Sequence, residues 1–139
     1  KSKEYNVTDP NMTRFCITLE ESVKAAQWII KNAEGGEVVI PKVPSYRILD
    51  LVKAINKDAK IKIVGIRPGE KLYEELISDI DNTNSYDLGK YYIIKDKLAN
   101  YKIKHKKNPN NFSYNSQNND NFYSVSQLRR IISKTNQDG

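Results

Sequence analysis

The sequence predicts a mixed α/β domain, and three observations carry that reading. Short runs rich in Ile, Val and Tyr alternate with longer segments whose apolar residues recur at helical spacing. Two of the helical segments open on capping boxes, Thr18-Leu19-Glu20-Glu21 and Ser124-Val125-Ser126-Gln127. The order is strand, helix, strand, helix, strand, helix, with too few strands to complete a doubly wound sheet.

Each element follows from its own residues. Thr13 to Thr18 alternates as a short strand, with Phe15 and Ile17 on one face. The Thr18 hydroxyl then meets an orphan N–H of a helix whose apolar stripe is Leu19, Val23, Ala26 and Ile30, and Gly35-Gly36 supplies a left-handed stop. Val38-Val39-Ile40 is a short buried strand, and Pro41 and Pro44 bracket a turn. Ile48, Leu51, Val52 and Ile55 mark a second amphipathic helix. Ile61, Ile63 and Ile66 alternate with polar or small residues as another strand. Arg67-Pro68-Gly69-Glu70 is a turn, after which Leu72, Leu76 and Ile77 continue as a short helix. Tyr91 to Ile94 is a last strand, and the second capping box opens a helix with Leu128, Ile131 and Ile132 on its inner face.

Composition narrows the function classes. The 139 residues suit one domain, but 38% hydrophobic against 29% charged residues leaves part of the chain solvated. A single Cys16 excludes a disulfide framework and a cysteine-based zinc site, and a single His105 excludes a histidine-rich metal centre. No run approaches the roughly 20 apolar residues of a membrane span, and no apolar block opens the chain, so a cytoplasmic protein is expected. The chain begins Lys1-Ser2-Lys3 without an initiator Met and reads as a piece of something longer.

The net charge of +6 is unevenly placed. Residues 1–94 hold 14 basic and 14 acidic side chains, residues 95–122 hold 6 and 2, and residues 123–139 hold 3 and 1. Charge and composition thus divide the chain into an α/β subdomain (1–94), a basic Asn-rich extended tail (95–122) and a C-terminal capping helix with a frayed end (123–139). The tail is expected to be solvated. The competing reading makes it a nucleic-acid arm with Tyr101, Phe112, Tyr114 and Phe122 as stacking platforms. The neutrality of residues 1–94 weighs against nucleic acid as the partner.

Several familiar chemistries have no residues to carry them. The six glycines, at 35, 36, 65, 69, 89 and 139, form neither a dinucleotide fingerprint nor a phosphate loop. Tyr86-x-x-x-Lys90 and Tyr91-x-x-x-Lys95 match the Tyr–Lys pair of short-chain dehydrogenases, but that pair needs a helix to bring the Lys beside the phenol. The first match contains Gly89 and the second fits a strand, so both are read as chance.

Arg67-Pro68-Gly69-Glu70-Lys71-Leu72 survives as the most informative string. Pro fixes φ and Gly permits a tight reversal, which leaves Arg67 at the lip of the turn. Arg suits bidentate contact with phosphate oxygens, and Glu70 suits a pair of vicinal hydroxyls. On chemistry alone a surface Arg–Glu ion pair explains the string better than a ligand site does. Arg14 adds a second strand-borne guanidinium.

Taken together, Asn11-Met12-Thr13-Arg14-Phe15, Ile17-Thr18-Leu19-Glu20-Glu21, Gly36-Glu37-Val38-Val39-Ile40-Pro41-Lys42, Pro44-Ser45 and Ile63 through Leu72 resemble one family. They look like the C-terminal half of the extended short-chain dehydrogenase/reductases that act on nucleotide sugars. The closest resemblance is to the inverting UDP-N-acetylglucosamine 4,6-dehydratases of polysaccharide, flagellin-glycan and pseudaminic acid biosynthesis. The resemblance implies the C-terminal, substrate-binding part of a Rossmann-type fold, with the N-terminal dinucleotide-binding half outside this chain.

It also implies a reaction: oxidation at C4 by NAD(P) held in that other half, loss of water across C5–C6, and hydride return to C6 with inversion at C5. No catalytic group of the family matches a residue here, and no metal is implied. What matches is a clamp for a UDP-sugar. Arg14 and Arg67 fall on the diphosphate, Glu70 on the ribose hydroxyls, Gly69 within the same motif and Lys42 at the family's Pro-Lys position. In the absence of ligand Glu70 is expected to pair with one of the two arginines. The implied partners are the missing half, encoded with this chain or separately, and further copies in a homo-oligomer. Cys16 and Tyr73 depart from the family's usual residues and leave open a related UDP-sugar C4 epimerase. A non-enzymatic module using its basic tail on an anionic partner is the other alternative.

Overall fold

The computed structural model describes residues 4–98 and 100–135. In chain order the first elements are β1 (Glu4–Val7), β2 (Thr13–Phe15), α1 (Leu19–Asn32), β3 (Val38–Pro41), β4 (Ser45–Arg47) and α2 (Ile48–Ile55). Then come β5 (Lys60–Ile63), β6 (Glu75–Ile77), β7 (Ser85–Asp87), β8 (Tyr91–Ile94), β9 (Lys106–Lys107), β10 (Tyr114–Asn115) and α3 (Val125–Thr135). The mixed α/β expectation holds. Among the described residues β1 and β5 pair in parallel, while the β2–β4 and β6–β10 pairs and the four-stranded sheet β3-β8-β7-β9 are antiparallel. Both Tyr–Lys matches start on strands, Tyr86 on β7 and Tyr91 on β8, so neither has the helix that chemistry needs.

Charge divides the chain at 94 and 122, whereas contacts divide it into two interleaved compact units. The first comprises Lys1–Cys16, Pro44–Glu74 and Ser116–Gly139, and the second Ile17–Val43 and Glu75–Asn115.

In the first unit α2 follows β4 without a spacer, and its first N–H, on Ile48, donates to the Met12 carbonyl at 3.0 Å. Val52 and Ala54 are buried, and α3 packs against α2 with Leu128 buried. Arg129 of α3 donates to the carbonyls of Lys53 and Ala54, so a cation satisfies the end of α2 where the helix dipole is negative. The Ser124 box forms as expected: Ser124 N–H donates to Gln127 Oε1 at 2.8 Å, and Gln127 N–H donates back to the Ser124 hydroxyl at 3.3 Å.

The second unit carries the other capping box, with Thr18 N–H to Glu21 Oε2 at 2.8 Å and Glu21 N–H to Thr18 Oγ1 at 3.2 Å. Its helix turns a different face inward from the one expected. Leu19, Val23 and Ile30 are 83%, 49% and 85% exposed, while Ala25 is buried and Trp28 stacks on Tyr91 with centroids 4.3 Å apart. Apolar residues occupy two sides of this helix, so periodicity alone picks the wrong one. Nor do Gly35-Gly36 cap it: the helix ends on an extended Ala33, and the positive-φ glycines belong to the bend beyond.

Two further expectations are corrected. Leu76 and Ile77 lie on a strand instead of a helix, Leu76 exposed and Ile77 fully buried opposite Tyr114. The spacing of Leu72 and Leu76 imitates a helical turn, but alternation governs from Glu75 onward. The stretch 95–122 is not solvated throughout: 104–107 are exposed, but burial sets in from Asn108. Asn108 and Asn115 are buried, and Ser85 Oγ is joined to Asn82 Oδ1 at 2.6 Å and to Asn108 Nδ2 at 2.9 Å. In the first unit Asn119 Nδ2 donates to Ser45 Oγ at 2.9 Å, and Asn121 O accepts from the Ser45 N–H at 2.8 Å. Polar side chains are buried here because each finds a hydrogen-bond partner, which apolar counting does not register. The rings offered as stacking platforms are engaged too: Tyr114 is buried, Phe112 packs on Tyr92, and Arg47 lies over Phe122.

Candidate functional site

The Arg67–Glu70 turn follows β5 in the first unit, closed by a Glu70 N–H bond to the Arg67 carbonyl at 3.0 Å. Gly69 adopts φ +82°, a conformation that only glycine enters without strain. Arg67 and Gly69 are exposed and Glu70 is half-buried. Both carboxylate oxygens of Glu70 are held: the Thr8 hydroxyl donates to Oε1 at 3.1 Å, and the Arg67 N–H donates to Oε2 at 3.2 Å. Thr8 lies just beyond β1, whose parallel pairing with β5 brings it beside the turn.

Arg14 reaches the same segment from β2. Its Nη1 donates to the carbonyls of Thr13 (2.7 Å) and Leu72 (3.2 Å), and its Nη2 donates to that of Lys71 (2.8 Å). The structure therefore joins Arg14, the Arg67 backbone and Glu70 through one hydrogen-bonded stretch of chain. The expected ion pair between Glu70 and an arginine does not form. Arg14 Nε faces Glu74 Oε1 at 3.9 Å, and Glu74 Oε2 accepts the Phe15 N–H at 2.8 Å. Opposite Arg14 in the β2–β4 register stands Tyr46. Burial pushes its phenol above the usual value, with the Cys16 thiol and the Glu74 carboxylate adding to the effect against Arg14.

Lys42 belongs to the second unit. Its Nζ is 2.7 Å from Asp87 Oδ1 and 4.3 Å from the centroid of the Tyr92 ring. Burial presses the Asp87 carboxyl upward, but the Lys42 hydrogen bond, the Gly89 N–H and the charges of Lys42 and Lys106 outweigh it and hold the group below the ordinary carboxylate range. Lys42 also lines a cleft of about 510 Å³ within the second unit, with Glu21, Lys24, Lys90 and Tyr91.

Thr8 and Glu74 are the site residues that the sequence reading missed. Thr8 carries no signal beyond an ordinary Val-Thr-Asp-Pro turn, and Glu74 gains its role only through the approach of β2. Among the described residues no group of three His, Cys, Asp or Glu is placed to hold a metal ion, and no helix is long and apolar enough to cross a membrane.

These features define an α/β protein with the fold of the Pen structure. The X-ray structure of Pen from Bacillus thuringiensis matches with a TM-score of 0.77 at 30% identity, covering 96% of this chain and 42% of that one. The chain belongs to the polysaccharide biosynthesis protein family, whose model matches residues 1–96. Over 96% of its length it is 40% identical to a UDP-N-acetylglucosamine 4,6-dehydratase (inverting) of Campylobacter jejuni, of which it covers 43%. Over 68% of its length it is 37% identical to a UDP-glucose 4-epimerase of Rickettsia canadensis, of which it covers 29%. The chain thus spans well under half the length of these curated relatives.

Proposed function

We propose that the chain is the nucleotide-sugar-holding part of a C5-inverting UDP-N-acetylglucosamine 4,6-dehydratase that serves polysaccharide or flagellin-glycan biosynthesis in the cytoplasm. The observation that carries the reading is the Arg67–Glu70 turn. It presents an exposed Arg67 and, three residues on, a carboxylate whose two oxygens are already oriented. Arg67 takes the diphosphate as a planar fork, and Glu70 accepts from the ribose hydroxyls. Gly69 lets the backbone turn sharply enough to place both. Arg14 belongs to the same site, and Lys42 is engaged with Asp87 within the second unit. The dehydratase reading is favoured over the epimerase because the dehydratase relative matches 96% of the chain and the epimerase 68%.

The described residues do not fit a nicotinamide dinucleotide. A pyrophosphate cradle needs glycines where a strand enters a helix. Here the β2–α1 junction is Cys16-Ile17-Thr18, and β4 runs directly into α2. In this reading the chain alone carries out no dehydration, NAD(P) and the acid–base groups come from the rest of the enzyme, and the complete enzyme is a homo-oligomer.

Titration with UDP followed by amide chemical shifts tests the proposal. Saturable shifts at Arg67, Gly69 and Glu70 are expected. Arg67→Ala should weaken binding roughly tenfold or more, and Arg67→Lys should restore only part of it, since an ammonium lacks the fork. Shifts confined to the basic stretch 95–107 and insensitive to Arg67 would instead favour a module for general anions.

A further inference from the structure

Arg14 has surroundings that describe a task other than holding phosphate. A guanidinium carries five N–H donors. Three of its contacts here are bonds to backbone carbonyls, at 2.7, 2.8 and 3.2 Å, and its Nε is turned toward Glu74. The side chain is only 20% exposed. The carbonyl of Leu72 also accepts the Thr13 N–H at 2.9 Å, so β2 and the segment after the turn are stitched together at consecutive residues. Arg67, Pro68 and Gly69 themselves are exposed. On its near side the turn is anchored by Thr8 through Glu70. On its far side the anchor is Arg14.

We propose that Arg14 is a positioning residue: it latches the Lys71–Leu72 segment to β2 and so fixes the Arg67–Glu70 turn, without itself touching the diphosphate. Fixing the turn before ligand arrives removes an ordering cost from binding. The planar fork suits the task, because two nitrogens in a fixed geometry meet the successive carbonyls of Lys71 and Leu72, which a single ammonium cannot span in the same way. The functional meaning of the latch rests on the reading of Arg67 and Glu70 as ligand groups; the latch itself does not.

Amide hydrogen exchange of the ligand-free chain tests the latch directly. In Arg14→Ala the amides of Thr13, Arg67 and Glu70 should exchange at least about tenfold faster, since charge-assisted bonds to carbonyls are lost. The Leu128 amide, bonded within α3 to Ser124 O, should keep its wild-type rate and report that the variant is folded. Arg14→Lys, which keeps the charge and the aliphatic stem, should still exchange several-fold faster at the same three amides. It serves as the test if Arg14→Ala fails to fold. Unchanged exchange in these variants overturns the proposal.

Titrations with UDP and with uridine separate the latch from direct contact. A displaced turn weakens both ligands by a similar factor, because Glu70 moves with Arg67. Weakening of UDP alone, with uridine intact, assigns Arg14 to the phosphate and overturns the proposal. Wild-type chain that binds neither ligand removes the nucleotide reading of the site, while the exchange rates still decide the latch.

Discussion

The Thr8 hydroxyl and the Glu70 carboxylate meet at 3.1 Å across 62 residues of sequence. With the Arg67 N–H on its other oxygen, the carboxylate is fixed between the end of β1 and the turn that follows β5. Thr8→Val keeps the shape of the side chain and removes the donor. Affinity for uridine should fall about fivefold, close to 1 kcal/mol, with Thr8→Ser recovering most of it. Equal binding by the Val variant in an NMR titration would show that the hydroxyl does not orient the carboxylate.

Gly69 is required by its backbone angle alone. A Cβ placed there meets nothing within 4 Å, yet φ is +82°. Gly69→Ala should therefore cost about 1–2 kcal/mol from the left-handed conformation, lowering Tm by a few degrees. Gly65, at φ +84° and equally free of neighbours, should behave alike. A Tm within one degree of wild type in either variant contradicts this account.

Tyr114 and Val43 form a reciprocal pair in the second unit. The phenol accepts the Val43 N–H at 2.9 Å and donates to the Val43 carbonyl at 3.0 Å. Tyr114→Phe removes both of these bonds at a buried residue and should cost about 1–3 kcal/mol in denaturant unfolding. Burial also raises the phenol's pKa, opposed by the Val43 N–H and aided by Tyr92. A pKa raised in the folded state gives stability that is complete below the unfolded value near 10 and is lost as pH rises through the folded one. Wild-type chain should thus weaken on the alkaline side, and Tyr114→Phe should show a shallower decline. Unfolding curves of equal slope above pH 10 would contradict the assignment.

Leu19 and Ile30 contribute little to stability despite their helical spacing. Both are more than four-fifths exposed. Leu19→Ser with Ile30→Ser should stay within about 0.5 kcal/mol of wild type for each change. Ile77→Ala, at a side chain with no exposure, should cost about 2–5 kcal/mol. A large loss from the two serines would mean that α1 buries its outer stripe.

What the sequence made legible was whatever neighbouring residues decide among themselves. Both capping boxes and the turn at Arg67 depend on contacts a few residues apart, the strand at Tyr91–Ile94 is marked by its own run of β-forming residues, and all are present. The inward face of α1 depends on which of two apolar stripes finds a partner, and β6 exists because β10 lies beside it. Neither choice is local. The candidate site divides in the same way. Arg67, Gly69 and Glu70 announce themselves as one string, whereas Thr8 and Glu74 acquire meaning only when β1 pairs with β5 and β2 approaches the segment after the turn. The buried asparagines are not legible in composition, which counts their polarity and not the partners that Ser45 and Ser85 provide.

The interleaving of the two units sets an order of assembly during synthesis. The second unit has all its residues once Asn115 is made, while the first still lacks Ser116–Gly139. At that moment α2 has no α3 beside it: Leu128 has yet to arrive against Val52 and Ala54, and Arg129 has yet to close the last carbonyls of the helix. Long-range contacts of this kind reward the chain only after the intervening loop has been closed. The unit that carries Arg14, Arg67 and Glu70 is therefore the later of the two to become whole, and a ribosome paused before Val125 holds every residue of the candidate site without the helix on which its scaffold rests.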